Sequence, residues 1–109
     1  LDVSGCTALE SLMCYGNELA ELRTDGLVVL AFLDCIQNRL PSLDLSDAVR
    51  LTTLVCNTNA LVSLDVSHNT YLEYLDCGKN NITTLDLRNN PDLDASGLVC
   101  DSYVNVIWK

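Results

Sequence analysis

Basic residues are scarce in this sequence: six Lys and Arg stand against fifteen Asp and Glu, for a formal charge of −9. Nucleic-acid affinity rests on Lys and Arg neutralising phosphates, so this balance excludes a nucleic-acid partner. It disfavours an anionic membrane surface for the same reason. Aromatic residues are also few, at 6%, whereas 49% of the chain is apolar, so any core must be aliphatic. No run approaches the roughly 18 consecutive apolar residues of a membrane span. No basic segment followed by an apolar run marks a signal peptide. His68 is the one histidine, in the polar loop Ser67-His68-Asn69-Thr70. There is no G-x-S-x-G, no H-E-x-x-H and no phosphate-cradling glycine loop. Without a catalytic constellation or a cofactor motif, the classes left are binding and structural ones. A protein partner, best a basic one, or a neutral sugar suits the charge.

What the chain has in abundance is regularity. Cys14, Cys35, Cys56 and Cys77 are each 21 residues apart, and so are Asn17, Asn38, Asn59 and Asn80. Four further columns keep step: Leu9/Leu30/Leu51/Leu72, Leu12/Leu33/Leu54/Leu75, Leu19/Leu40/Leu61/Ile82 and Leu22/Leu43/Leu64/Leu85. Self-similarity at a fixed period of this size marks a repeat architecture. In L-x-x-L-x-C the Leu and Cys alternate, as in a strand with one buried face. A unit this short cannot bury that face alone, so the copies stack and their strands form one parallel sheet. The phrase Leu-Asp-[Leu/Val]-Ser alternates again and predicts a second short extended segment on the far side of each coil. The Asn column falls where the chain turns after the strand, and a buried amide there bonds the backbone of its own and adjacent turns.

The 109 residues make one domain. Its repeats lie near 9–29, 30–50, 51–71 and 72–92, followed by an irregular cap over 93–109. Leu1-Asp2-Val3-Ser4 repeats a phrase found inside the units, and no cap precedes it, so a fragment of a longer protein is expected. In the cap, Val104, Val106 and Trp108 alternate as a closing strand would, with Trp108 as a lid. Cys100 continues the cysteine column after a two-residue insertion. Cys6 aligns with Ala48, Asn69 and Asn90 and is expected to turn inward on the convex side.

Six cysteines in a short chain ordinarily suggest disulfides. Stacked parallel strands about 4.8 Å apart point their side chains the same way, which is a poor geometry for bridging. Four ligands in a line do not make the tetrahedron of a zinc site. The column therefore reads as core filling, free Cys behaving as a small hydrophobe. Asp2, Asp44, Asp65 and Asp86 form an acidic column broken by Arg23; like charges so spaced in water repel by only about 1 kcal/mol, so no metal is required. Asn81-Ile82-Thr83 matches a glycosylation acceptor, relevant only in a eukaryotic secretory host.

Leu72-x-x-Leu75-x-Cys77-x-x-Asn80-x-Ile82-x-x-Leu85-Asp86-Leu87 and its three upstream copies resemble leucine-rich repeats. The likeness is to the short cysteine-bearing type of internalin-like bacterial surface proteins. That resemblance implies a right-handed solenoid of the α/β leucine-rich-repeat class, mostly β, of about five turns. It implies a concave parallel sheet, short extended or 3-10 segments on the convex side, and ligand binding outside the cell. Side chains flanking the inward Leu and Cys then face away from the core. They read Ser11, Phe32, Thr53, Tyr74; Met13, Asp34, Val55, Asp76; and Tyr15, Ile36, Asn57, Gly78. Exposed apolar clusters mark binding surfaces. Met13, Tyr15, Phe32, Ile36, Val55 and Tyr74 are thus the candidate contacts, with Asp34 and Asp76 offering acidic ones to a Lys or Arg. The expected function is a non-enzymatic protein-interaction module of a surface or secreted protein. A spacer for another domain is the alternative, although a spacer has no use for apolar side chains gathered on that face.

Overall fold

A computed structural model describes the whole chain, Leu1 to Lys109, as a β-solenoid of about five turns. Its strands are short: β1 Ser11–Met13, β2 Phe32–Asp34, β3 Thr53–Val55, β4 Tyr74–Asp76, β5 Thr84–Asp86, β6 Leu98–Val99 and β7 Asn105–Ile107. β1, β2, β3, β4 and β6 form one parallel sheet in that order. Leu12, Leu33, Leu54 and Leu75 are direct partners across it, so the register equals the repeat period. No helix is long and apolar enough to cross a membrane.

The sheet stays in register because its inward columns match from turn to turn. Leu33, Leu54, Leu75, Cys35, Cys56 and Cys77 are all at most 1% exposed. Leu30, Leu51 and Leu72, with Leu40, Leu61 and Ile82, wall the same core. Each fully buried Leu contributes about 1.5–3 kcal/mol relative to an exposed one. In the first turn the equivalents Leu9, Leu12 and Leu19 are only half-buried, since that turn has a neighbour on one side alone.

All six cysteines are unbridged. Burial pushes the Cys35 and Cys77 thiols up to about 12 and raises Cys56 well above its ordinary value. Cys100 does extend the column: β6 pairs Leu98 with Leu75 and Val99 with Asp76, and the Cys77 N–H bonds the Val99 carbonyl at 2.9 Å. Cys6 departs from expectation and is exposed, although Leu27, Ala48, Asn69 and Asn90 in its column are buried. It lies in the first turn, so the column's inward direction does not cover it.

The turn after each strand is held by an amide that reaches in both directions along the solenoid. The Asn38 Nδ2 donates to the Cys14 and Cys35 carbonyls at 3.0 Å each. Its Oδ1 accepts from the Asn17 and Leu19 N–H groups at 3.1 and 2.9 Å. Asn59 and Asn80 donate in the same two directions one and two turns on, and their Oδ1 atoms accept from the Leu40 and Leu61 N–H groups at 3.1 and 3.0 Å. Asn17 differs: it is exposed and bonds only the Cys14 and Tyr15 carbonyls of its own turn. Just before the Asn, Gly16, Gln37, Thr58 and Lys79 all take a left-handed backbone, with φ of 71°, 55°, 58° and 52°. A non-Gly residue there costs roughly 1–2 kcal/mol, which the amide's bonds offset.

A second amide pair lies on the convex side. Asn69 Nδ2 donates to Leu45 and Ala48 carbonyls at 3.1 and 2.8 Å, and Asn90 Nδ2 to Val66 and Asn69 carbonyls at 3.0 and 2.9 Å. Both side chains are essentially fully buried.

The far side of the coil is less regular than the Leu-Asp-Leu-Ser phrase predicts. Only β5 and β7 pair there as strands, with Leu85 opposite Val106, alongside an isolated bridge between Asp2 and Arg23. The 3-10 helix Ala95–Gly97 sits immediately before β6, within the insertion, and not on the convex segment. Gly97 is needed in that place: a Cβ there would collide with the Glu73 carbonyl oxygen. Val104 and Val106 pack on the core as the closing strand should. Trp108 follows β7 at the end of the stack and is 41% exposed. The last Asn bend is closed by Asp101, whose carboxylate accepts from the Lys79 and Asn80 N–H groups at 3.0 and 3.3 Å. The Tyr103 hydroxyl adds a bond to the Asn80 carbonyl.

Two outcomes test this account. Asn59→Ala should destabilise the fold by about 1–3 kcal/mol through orphaned backbone groups, and Asn17→Ala by less, as compared by urea denaturation. Equal losses would contradict the two-way role of the interior amides. Alkylation followed by mass spectrometry should modify Cys6 first and Cys100 next, leaving Cys35, Cys56 and Cys77 protected until unfolding. Rapid labelling of Cys56 in the folded protein would be incompatible with the ladder.

Candidate interaction surface

Strand alternation turns one set of side chains to solvent on the five-stranded sheet. Cα pairing sets Ser11, Phe32, Thr53 and Tyr74 in one row and Met13, Asp34, Val55 and Asp76 in the next, which β6 extends with Val99. Tyr15, Ile36, Asn57 and Gly78 follow in a third, tied by bonds from Gly16, Gln37 and Thr58 N–H groups to the Ile36, Asn57 and Gly78 carbonyls. All the predicted surface residues therefore share one face, but not equally. Met13 and Tyr15 are 66% and 61% exposed, Tyr74 is 38% exposed, and Phe32, Ile36 and Val55 are half-buried between strands on both sides.

Met13, Tyr15, Phe32 and Ile36 come together at the β1–β2 end as an apolar zone. Tyr74 stands apart from Phe32 with Thr53 between them. Two carboxylates are set among these rows, Asp34 on β2 opposite Met13 and Asp76 on β4 opposite Val99. Asp76 accepts from the Asn57 amide at 2.9 Å and from the Gly78 N–H at 3.1 Å, and Asp34 accepts from the Ile36 N–H at 3.2 Å. Both carboxylates are half-buried and already serve the turn that follows their strand. Gly78 is buried and presents no surface. Val99, 46% exposed, belongs to the face but lies past the insertion, outside the regular spacing that located the other members.

The acidic column on the far side has a structural explanation. Asp44 Oδ1 accepts from the Ser46 N–H and hydroxyl at 3.0 and 2.7 Å; Asp65 holds Ser67, and Asp2 holds Ser4, in the same way. Asp86 grips Arg88 through its backbone N–H at 3.0 Å and its guanidinium at 2.8 Å. These bonds hold the carboxyls below their ordinary range: the Ser hydroxyls chiefly for Asp44 and Asp65, and the Arg88 side chain for Asp86, which falls to about 2. Arg23, which breaks the column, pairs with Asp25 at 2.8 Å. His68 is exposed beside Ser67, as the loop reading expected.

Inward Leu rows, an unbridged cysteine column and amide-bonded turns under a parallel sheet define a cysteine-ladder leucine-rich-repeat solenoid. That architecture is consistent with an internalin-like leucine-rich repeat. The solved functional domain of InlJ from Listeria monocytogenes, described as including a cysteine ladder, matches this chain with a TM-score of 0.77 and 30% sequence identity. The match covers 94% of this chain and 27% of that one. No family model and no curated protein sequence matches the chain.

The convex turns carry a pH signature. A carboxyl whose folded value is depressed adds stability above its unfolded value, here near 3.8, and loses it as pH falls through the folded value. The melting temperature should therefore drop as pH falls from about 4 toward about 2. A triple Asp44→Asn, Asp65→Asn, Asp86→Asn variant should show a shallower drop when both are melted by circular dichroism. Identical acid profiles would show that these turns do not couple to folding.

Proposed function

We propose that residues 1–109 act as one leucine-rich-repeat domain, with repeats near 9–29, 30–50, 51–71 and 72–92 and a cap over 93–109. Its work is non-enzymatic protein binding through the concave face, on a bacterial protein displayed at the cell surface or secreted. The observation that carries this reading is the apolar zone of Met13, Tyr15, Phe32 and Ile36, gathered on the solvent side of a sheet locked in register from behind. Exposed apolar clusters on a rigid scaffold mark interaction sites. Aromatic anchors commonly dominate binding energy, with surrounding polar groups tuning specificity and rate. The placement outside the cell is supported by the similarity to InlJ.

Phe32→Ser combined with Tyr74→Ser should weaken a protein partner's binding at least about tenfold, or roughly 1.4 kcal/mol, with the fold retained. Isothermal titration against the partner, with a melting curve for each variant, measures both. Binding that survives the double change, or that is lost only on altering His68 or Arg88, would place the site on another surface.

A further inference from the structure

Beside β3 and β4, on the edge of the sheet where the chain enters its strands, lies a recess of about 390 Å³ lined by Arg50, Thr52, Tyr71, Glu73 and Asp92. The repeat orders these groups. Arg50, Tyr71 and Asp92 are 21 residues apart and occupy the same place on three successive turns; Thr52 and Glu73 form a parallel pair two residues further on. With about 4.8 Å per turn, Arg50 and Asp92 stand roughly 10 Å apart, with Tyr71 between them. Tyr71 is 59% exposed. Glu73 and Thr52 immediately precede Tyr74 and Thr53, so the recess lies beside the start of the concave rows.

Four carboxylates in the chain, Glu10, Glu21, Glu73 and Asp92, have neither a side-chain hydrogen bond nor an ion pair, and the last two share this recess with an aromatic ring. Asp34 and Asp76 are engaged with backbone and amide groups, and the Asp column of the convex side is engaged with Ser or Arg. Glu73 and Asp92 have no such engagement. Neither accepts a side-chain hydrogen bond, and neither belongs to any of the three ion pairs, Arg23–Asp25, Arg39–Glu18 and Arg88–Asp86. Arg50 is likewise unpaired although it lines the same recess, so the carboxylates are not neutralised from within. An aromatic ring next to two unpaired carboxylates meets the requirements of a bound cation, which is drawn to the ring face and to the charges together. The charge of −9 attracts such a group over a distance.

We infer that this recess receives a basic side chain, lysine or arginine, of the protein partner. Its cationic head lies against Tyr71 between Glu73 and Asp92, and Arg50 at the opposite end takes an acidic group or carbonyl of the same segment. The inference rests on the reading of the concave face as a protein-binding surface and adds the chemistry and polarity of what binds there: apolar contacts toward β1, a basic anchor beside β4.

Small probes test it without the partner. Amide chemical shifts of the isotope-labelled chain would be followed during titration with Nα-acetyl-L-lysine methylamide and Nα-acetyl-L-arginine methylamide. The norleucine analogue, which lacks the charge, serves as control. At least one cationic probe should give saturable shifts centred on Thr52, Tyr71, Glu73 and Asp92, weakened by added salt, with none from norleucine. A Glu73→Gln, Asp92→Asn variant should bind roughly tenfold more weakly. Tyr71→Phe should keep most of the affinity and Tyr71→Leu lose it. Shifts centred elsewhere, equal shifts with norleucine, no saturation with either cation, or unchanged binding by the carboxamide variant would each overturn the inference. Because the probes do not touch the apolar zone, such a failure leaves the Phe32 and Tyr74 test standing, and failure of that test leaves this one standing.

Discussion

An Asn amide that bonds two coils at once, at the bends after β2, β3 and β4, is the interaction on which the other features depend. The bend turns backbone carbonyls of two successive coils toward the interior, where a missing partner costs about 1–3 kcal/mol per group. One side chain answers both coils: Asn38 joins Cys14 and Cys35, Asn59 joins Cys35 and Cys56, and Asn80 joins Cys56 and Cys77. With the bends clamped at a common spacing, the strands ahead of them have one register available. The Leu and Cys columns then stack into one buried core, and the solvent rows are placed as a by-product. Thiols suit the position because a small, weakly polar group fills the space that the neighbouring amide leaves.

The two faces use their acidic residues differently. On the convex side nearly every carboxylate is spent on its own local turn, so the charge there is a folding device before it is a recognition device. On the concave side Asp34 and Asp76 follow the same habit at the ends of their strands. Of the carboxylates left unengaged, Glu73 and Asp92 lie together at the entry edge, beside Tyr71. The apolar zone at β1 and β2 and the acidic edge at β4 together give the face a direction along the solenoid axis, which a symmetric stack of identical units would lack.

Much of this was legible in the sequence because a 21-residue period converts directly into columns, and a column's direction follows from the strand alternation beneath it. The inward Leu rows, the cysteine ladder through Cys100 and the solvent rows all follow from that conversion. Coverage does not. Cys6 and Trp108 belong to columns that are elsewhere buried, yet both sit where a turn has at most one neighbour. The second amide pair was hidden because its column mates, Leu27 and Ala48, are apolar and signal core filling rather than hydrogen bonding. The left-handed bend carried a glycine only at position 16, so Gln37, Thr58 and Lys79 gave no warning of it. Asp34 and Asp76 read as free acidic contacts because backbone partners leave no trace in a residue pattern. Glu73 and Asp92 lie in entry columns outside the alternating positions, where periodicity assigns no role.

The insertion before β6 has a wider meaning. Leu75 to Leu98 spans 23 residues where the period is 21, yet Leu85 to Val106 spans 21 again. Two residues gained on one wall are thus given back by the tighter bend through Asp101 on the other. Winding is quantised over the whole circuit, not along each wall, so the coil tolerates a local surplus if a matching deficit follows within the same lap. Variation in such a molecule is therefore expected to arrive as paired length changes on opposite walls of one lap, with the laps on either side keeping their phase. A change of that kind reshapes the recognition rim without disturbing the thiols and amides behind it.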